Sequence, residues 1–113
     1  MLFASQKRPK NRGQQLALKP VRAPAATLDG MRVKLPLRGN WLFRPPKDAT
    51  RNFELDEVGL FVWNLCDGQT SIEQIFRHLA AKYNLSERDA EVSTLKFLQM
   101  LARRGLVGLR TDP

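Results

Sequence analysis

The sequence predicts an α+β fold in which three short antiparallel strands precede three helices. Three observations predict it. Apolar residues alternate with polar ones between about Met31 and Leu55, then fall at helical spacing from Asp56 onward. Gly and Pro punctuate the first half at short intervals. A helix-capping residue stands before each later apolar run. The chain has 113 residues, 42% of them hydrophobic, which suits one domain with a modest core.

Residues 1–26 read as a basic, flexible tail and residues 27–113 as the domain. Lys7, Arg8, Lys10 and Arg12 open the tail, and Pro20 and Pro24 interrupt it. Leu16, Ala17 and Leu18 are too few for a core-facing helix. Asp29-Gly30 signals a turn, and Met31-Arg32-Val33-Lys34-Leu35 alternates as a strand that Pro36 ends. Gly39-Asn40 is a second turn, before a strand at Trp41-Leu42-Phe43-Arg44. Pro45-Pro46-Lys47-Asp48 breaks the chain again, and Arg51-Asn52-Phe53-Glu54-Leu55 makes the third strand.

Asp56 caps the first predicted helix, with Val58, Phe61, Val62 and Leu65 on one face. Asp67-Gly68 stops it, Gly68 suiting a left-handed C-cap. Thr70-Ser71-Ile72-Glu73 is a capping box opening the second helix, which carries Ile72, Ile75, Phe76, Leu79 and Tyr83 on one side. Ser86 opens the third, which runs to about Arg104 and stops at Gly105. Leu106-Val107-Gly108-Leu109 adds a short strand or wing. The layout resembles a winged helix.

Composition and motifs narrow the function. The net charge of +8 is lopsided: residues 1–50 carry 11 Lys/Arg and 2 Asp/Glu, residues 51–113 carry 8 and 9. A basic arm attracts nucleic acid, anionic lipid or an acidic protein; equally, it is a solvated tail. His78 and Cys66 are single, which falls short of the ligand set of a metal site. Cys66 reads as a small buried hydrophobe, since Asp67 beside it disfavours a thiolate. Acidic pairs such as Asp56 and Glu57 sit where they meet a helix dipole, and no phosphate-binding glycine loop occurs. The expectation is a chain without catalysis, cofactor or metal. A lone cysteine, the absence of a signal peptide and the lack of a long apolar run suggest a cytoplasmic chain without membrane insertion.

On a wheel of 100° per residue, the third helix has an apolar arc of roughly 220°, wider than a one-sided helix needs. Leu95, Leu98 and Ala102 point one way, Ala90, Phe97 and Leu101 to one flank, and Val92 to the other. Glu91 falls inside that arc, where being in the first turn would let it project past the core.

The stretch Leu55-Asp56-Glu57-Val58-Gly59-Leu60-Phe61-Val62-Trp63-Asn64-Leu65-Cys66-Asp67-Gly68 resembles the first-helix signature of the PqqD family. Thr70, Ile72, Ile75, Leu79 and Tyr83 fit its second helix; Phe97-Leu98, Leu101 and Gly105-Leu106-Val107 fit its third. Asp56 stands where the family favours Asn, and Ser93-Thr94 where it favours Asp-Val. The resemblance implies a precursor-peptide chaperone, also called a RiPP recognition element. Such a domain binds a leader peptide and presents it to a modifying enzyme, often a radical SAM protein. The leader would add as a strand along Arg51, Asn52, Phe53, Glu54 and Leu55. It would lie against one flank of the third helix, lined by Phe97 and Leu101 or by Val92 and Leu95. A short charged edge strand resists unspecific pairing, though dimerisation through it stays open. The alternative is a winged-helix protein binding nucleic acid through its basic arm. The acidic start of the third helix, Glu87, Asp89 and Glu91 against one Arg88, argues against it.

Overall fold

The computed structural model describes residues 12–37, 41–42, 44–46 and 49–111. The architecture is α+β. Its elements are α1 (Arg12–Leu16), β1 (Lys19–Arg22), β2 (Thr27–Asp29), β3 (Arg32–Pro36), β4 (Thr50–Glu54), α2 (Glu57–Asn64), α3 (Ile72–Tyr83), α4 (Glu87–Arg103) and β5 (Val107–Arg110). The helices expected as first to third are therefore α2 to α4.

Two antiparallel sheets form, β1–β5 and β2–β3–β4. The three-stranded sheet begins with a two-residue hairpin at Gly30 and Met31. Gly30 has φ 64°, the left-handed value that the first position of such a turn requires. Of the strand expected at Trp41–Arg44, the described residues Trp41, Leu42 and Arg44 lie outside any strand. Trp41 and Leu42 are 85% and 75% exposed, and β3 pairs directly with β4. Phe43, the turn at Gly39-Asn40, Lys47-Asp48 and the early tail cations Lys7, Arg8 and Lys10 lie outside the described residues. The sheet's other strand is β2, whose Thr27, Leu28 and Asp29 are all exposed and so carry weak alternation.

Part of the expected tail packs against the rest of the fold. Leu16 and Leu18 are buried with Val62, Cys66, Ile75, Leu79, Leu98 and Leu101 in one cluster. Backbone bonds stitch this segment in: Ile72 N–H donates to Leu18, Gly68 N–H to Pro20, Arg22 N–H to Cys66 and Ala23 N–H to Leu106. The Ile72 bond satisfies a donor that α3 leaves open at its first turn. Arg22 also donates to the Trp63 and Asn64 carbonyls at 3.0 and 3.1 Å, placing a cation at the C-terminus of α2.

Asp56 caps α2 as expected, accepting from Gly59 N–H at 2.7 Å. The stop differs: Leu65 is the C-cap, and Gly68 takes φ 78° three residues later, against Val21 and Arg110. The carboxylate of Asp67 holds this turn, accepting from Gln69 N–H, Thr70 N–H and the Thr70 hydroxyl. Partial burial pushes the Asp67 carboxyl up, but these donors together hold it below its usual value. The capping box of α3 is Ser71 with Gln74, one residue later than expected. Ser86 caps α4, and Gly105 follows its C-cap in the left-handed conformation. The final strand β5 pairs with β1, so the tail supplies its partner.

Candidate peptide-binding site

The site is built on β4, an edge strand of its sheet. Its register fixes which backbone groups are free. Leu55 N–H donates to Met31 and Leu37 N–H to Ala49, so paired residues with odd numbers exchange hydrogen bonds across β3 and β4. Antiparallel ladders alternate. Arg51 and Phe53 therefore direct N–H and C=O towards β3, while Thr50, Asn52 and Glu54 direct theirs to the open edge. Pro36 pairs with Thr50 at a position outside that exchange, so its missing donor costs the β3–β4 ladder nothing.

The side chains sort by the same parity. Val33 is fully buried, and Leu35, Phe53 and Leu55 share its face of the sheet, packed on the core. The other face is solvated and its charges are paired: Arg32 with Glu54 at 2.6 Å and Lys34 with Asp29 at 3.1 Å. The Thr50 hydroxyl donates to Asn52 on this face.

Between the end of β4 and α4 lies an open groove of about 410 Å³ lined by Glu54, Leu55, Asp56, Phe97 and Met100. Phe97 is seated there because Gly59 of α2 has no side chain. A Cβ at Gly59 would stand 3.0 Å from the Phe97 ring. Further along, the guanidinium of Arg104 lies 5.0 Å from the Phe53 ring centroid and that of Arg51 5.8 Å from it.

The structure sorts the site residues expected from sequence. Arg51, Asn52 and Glu54 are exposed and Phe53 is half-buried along β4. Leu55 is buried yet lines the groove. On α4, Phe97 faces the groove, but Leu101 has no exposed surface and belongs to the core. Leu95 is half-buried against that core, and Val92 is 41% exposed and not among the groove's lining residues. The flank beside β4 is thus the one carrying Phe97. Sequence reasoning missed Met100 and Arg104, although they follow Phe97 at i+3 and i+7, the spacing of one helix face. Glu91 is also corrected: it does not project past the core but is buried and ion-paired with Arg12 of α1.

His78 is exposed on α3. Cys66 is buried, its thiol donating to the Val62 carbonyl at 3.3 Å, and burial pushes the thiol up to about 12. Among the described residues no group of three His, Cys, Asp or Glu could hold a metal ion, and no helix is long and apolar enough to cross a membrane.

A family profile described as "Coenzyme PQQ synthesis protein D (PqqD)" matches residues 42–107, more than half of the chain. The chain belongs to the PqqD family. Proteins named "PqqA binding protein" from three strains of Xanthomonas oryzae pv. oryzae are 32% identical over 72 residues, covering 64% of this chain and 75% of theirs. The PqqD match takes in β4, α2, α3, α4 and the start of β5, and so spans both walls of the groove.

Proposed function

We propose that this PqqD-family protein is a non-catalytic binder of a ribosomally made precursor peptide, which it presents to a peptide-modifying enzyme. The observation that carries the reading is the edge of β4, unpaired among the described residues, beside the α4 groove. Asn52 and Glu54 offer backbone donors and acceptors to an incoming strand, and Leu55, Phe97 and Met100 offer an apolar seat. Strand addition draws affinity from ladder hydrogen bonds and register from such seats. The names of the Xanthomonas oryzae relatives support a peptide ligand. A radical SAM protein is one class of modifying partner consistent with the family resemblance.

The test is calorimetric titration of the purified protein with the short precursor peptide encoded nearest its own gene, followed by mass measurement of the peptide. The expected result is saturable binding with the peptide mass unchanged. Absence of binding, or a mass change produced by the protein alone, would overturn the proposal.

A further inference from the structure

We propose that the β4–α4 groove selects a strand carrying an acidic side chain two residues from a large apolar one. This rests on the reading of β4 as the strand acceptor and adds the chemical class of its ligand. A strand laid on the open edge of β4 sends alternate side chains to the face shared by Phe53 and Leu55. Beside Leu55, such a side chain meets Phe97 and Met100. One position along, about 7 Å away, the next same-face side chain meets Phe53, flanked by Arg51 and Arg104.

Those two cations set the preference. Both guanidinium groups approach one ring, so they share a small region with like charge. Among the described residues neither has a carboxylate within ion-pair distance. The neighbouring cations differ, since Arg32 and Lys34 are matched by Glu54 and Asp29 on the opposite face. An aspartate or glutamate from the ligand would relieve the repulsion and accept charge-assisted hydrogen bonds from a planar fork. The order of the pair follows from strand direction. A ligand antiparallel to β4 presents the apolar residue first and the acid second; a parallel one reverses them. Nucleic acid also carries anions, but an apolar seat and an open ladder edge suit a peptide strand.

The test is selection of a displayed library of random peptides, about twelve residues long, on the full chain, a length covering a strand of typical size. The expected outcome is enrichment of Asp or Glu two positions from a large apolar residue. A synthetic selected peptide should lose about tenfold in affinity when its acid becomes the amide, an arm that needs no protein variant. Selection on the Arg51→Glu/Arg104→Glu double variant should enrich Lys or Arg instead. Peptides that shift the β4 and α4 amide resonances but show no acidic preference, or are indifferent to the double variant, would overturn the charge inference and leave strand addition standing. Failure to enrich any peptide, or shifts confined to other elements, would overturn both. Displacement of the selected peptide by an equimolar single-stranded oligonucleotide would assign the cation pair to phosphate and overturn the inference.

Discussion

Thr94 lies on the core face of α4 with no exposed surface, and its hydroxyl has no hydrogen-bond partner among the described residues. A buried hydroxyl without a partner keeps its desolvation cost. The family resemblance puts Val at this position, which has the same shape without the polar atom. Thr94→Val is expected to stabilise the domain by about 1 kcal/mol, read as a higher urea midpoint. Cys66 makes a second residue-scale prediction. Burial holds its folded value near 12 against a reference of 9.0, with Arg22 lowering it less and Asp67 adding slightly. The unfolded thiol ionises first as pH rises, so the unfolded chain binds fewer protons there. The associated stability is present in full below about pH 9 and is lost as pH climbs towards 12. Melts between pH 8 and 11 should fall for the parent, and fall less for Cys66→Ala. The native thiol should also resist alkylation until the chain unfolds.

At the scale of elements, β4 separates fold from function by the parity of its backbone. Asn52→Pro removes an outward donor, while Arg51→Pro removes a bond to β3. The first should abolish peptide binding with a small change in melting; the second should lower the melting temperature outright, by calorimetry or circular dichroism. The N-terminal segment makes the opposite point. Removing residues 1–22 deletes Leu16, Leu18 and the only partner of β5 among the described residues, and should cost well over the 2–5 kcal/mol of one large core truncation. Helices α2 to α4 were legible in sequence because each carries its own cap and its own apolar stripe, as with Asp56, Ser71 and Ser86. The N-terminal segment was not, because five helical residues and a four-residue strand holding Pro20 have no period of their own. Their order comes from distant partners, such as Cys66 and Leu106. The strand expected at Trp41 shows the converse: Trp41 and Leu42 carry a strand-like apolar pattern, yet both stay exposed.

Across the whole molecule, the lopsided charge resolves into structure at two points. Arg12 meets the buried Glu91, and Arg22 meets the C-terminal carbonyls of α2, so cations of the basic half serve the acidic helical half. Hydrogen bonding to Glu91, then its charge, holds the Arg12 guanidinium above its ordinary value. The groove was half legible for a related reason. Residues 51–55 and Phe97 stood out by alternation and helical position, whereas Leu101 could be told from Met100 only once α4 was seated on the core. The central claim is that the outer edge of β4 receives a peptide strand. Amide hydrogen exchange with and without the precursor peptide tests it most directly, because the ladder supplies its own controls. Binding should slow exchange at Asn52 and Glu54, whose N–H groups point outward, and leave Phe53 and Leu55, already turned to β3, much less changed. Peptide saturation with exchange at Asn52 and Glu54 as fast as in the free protein would contradict the account.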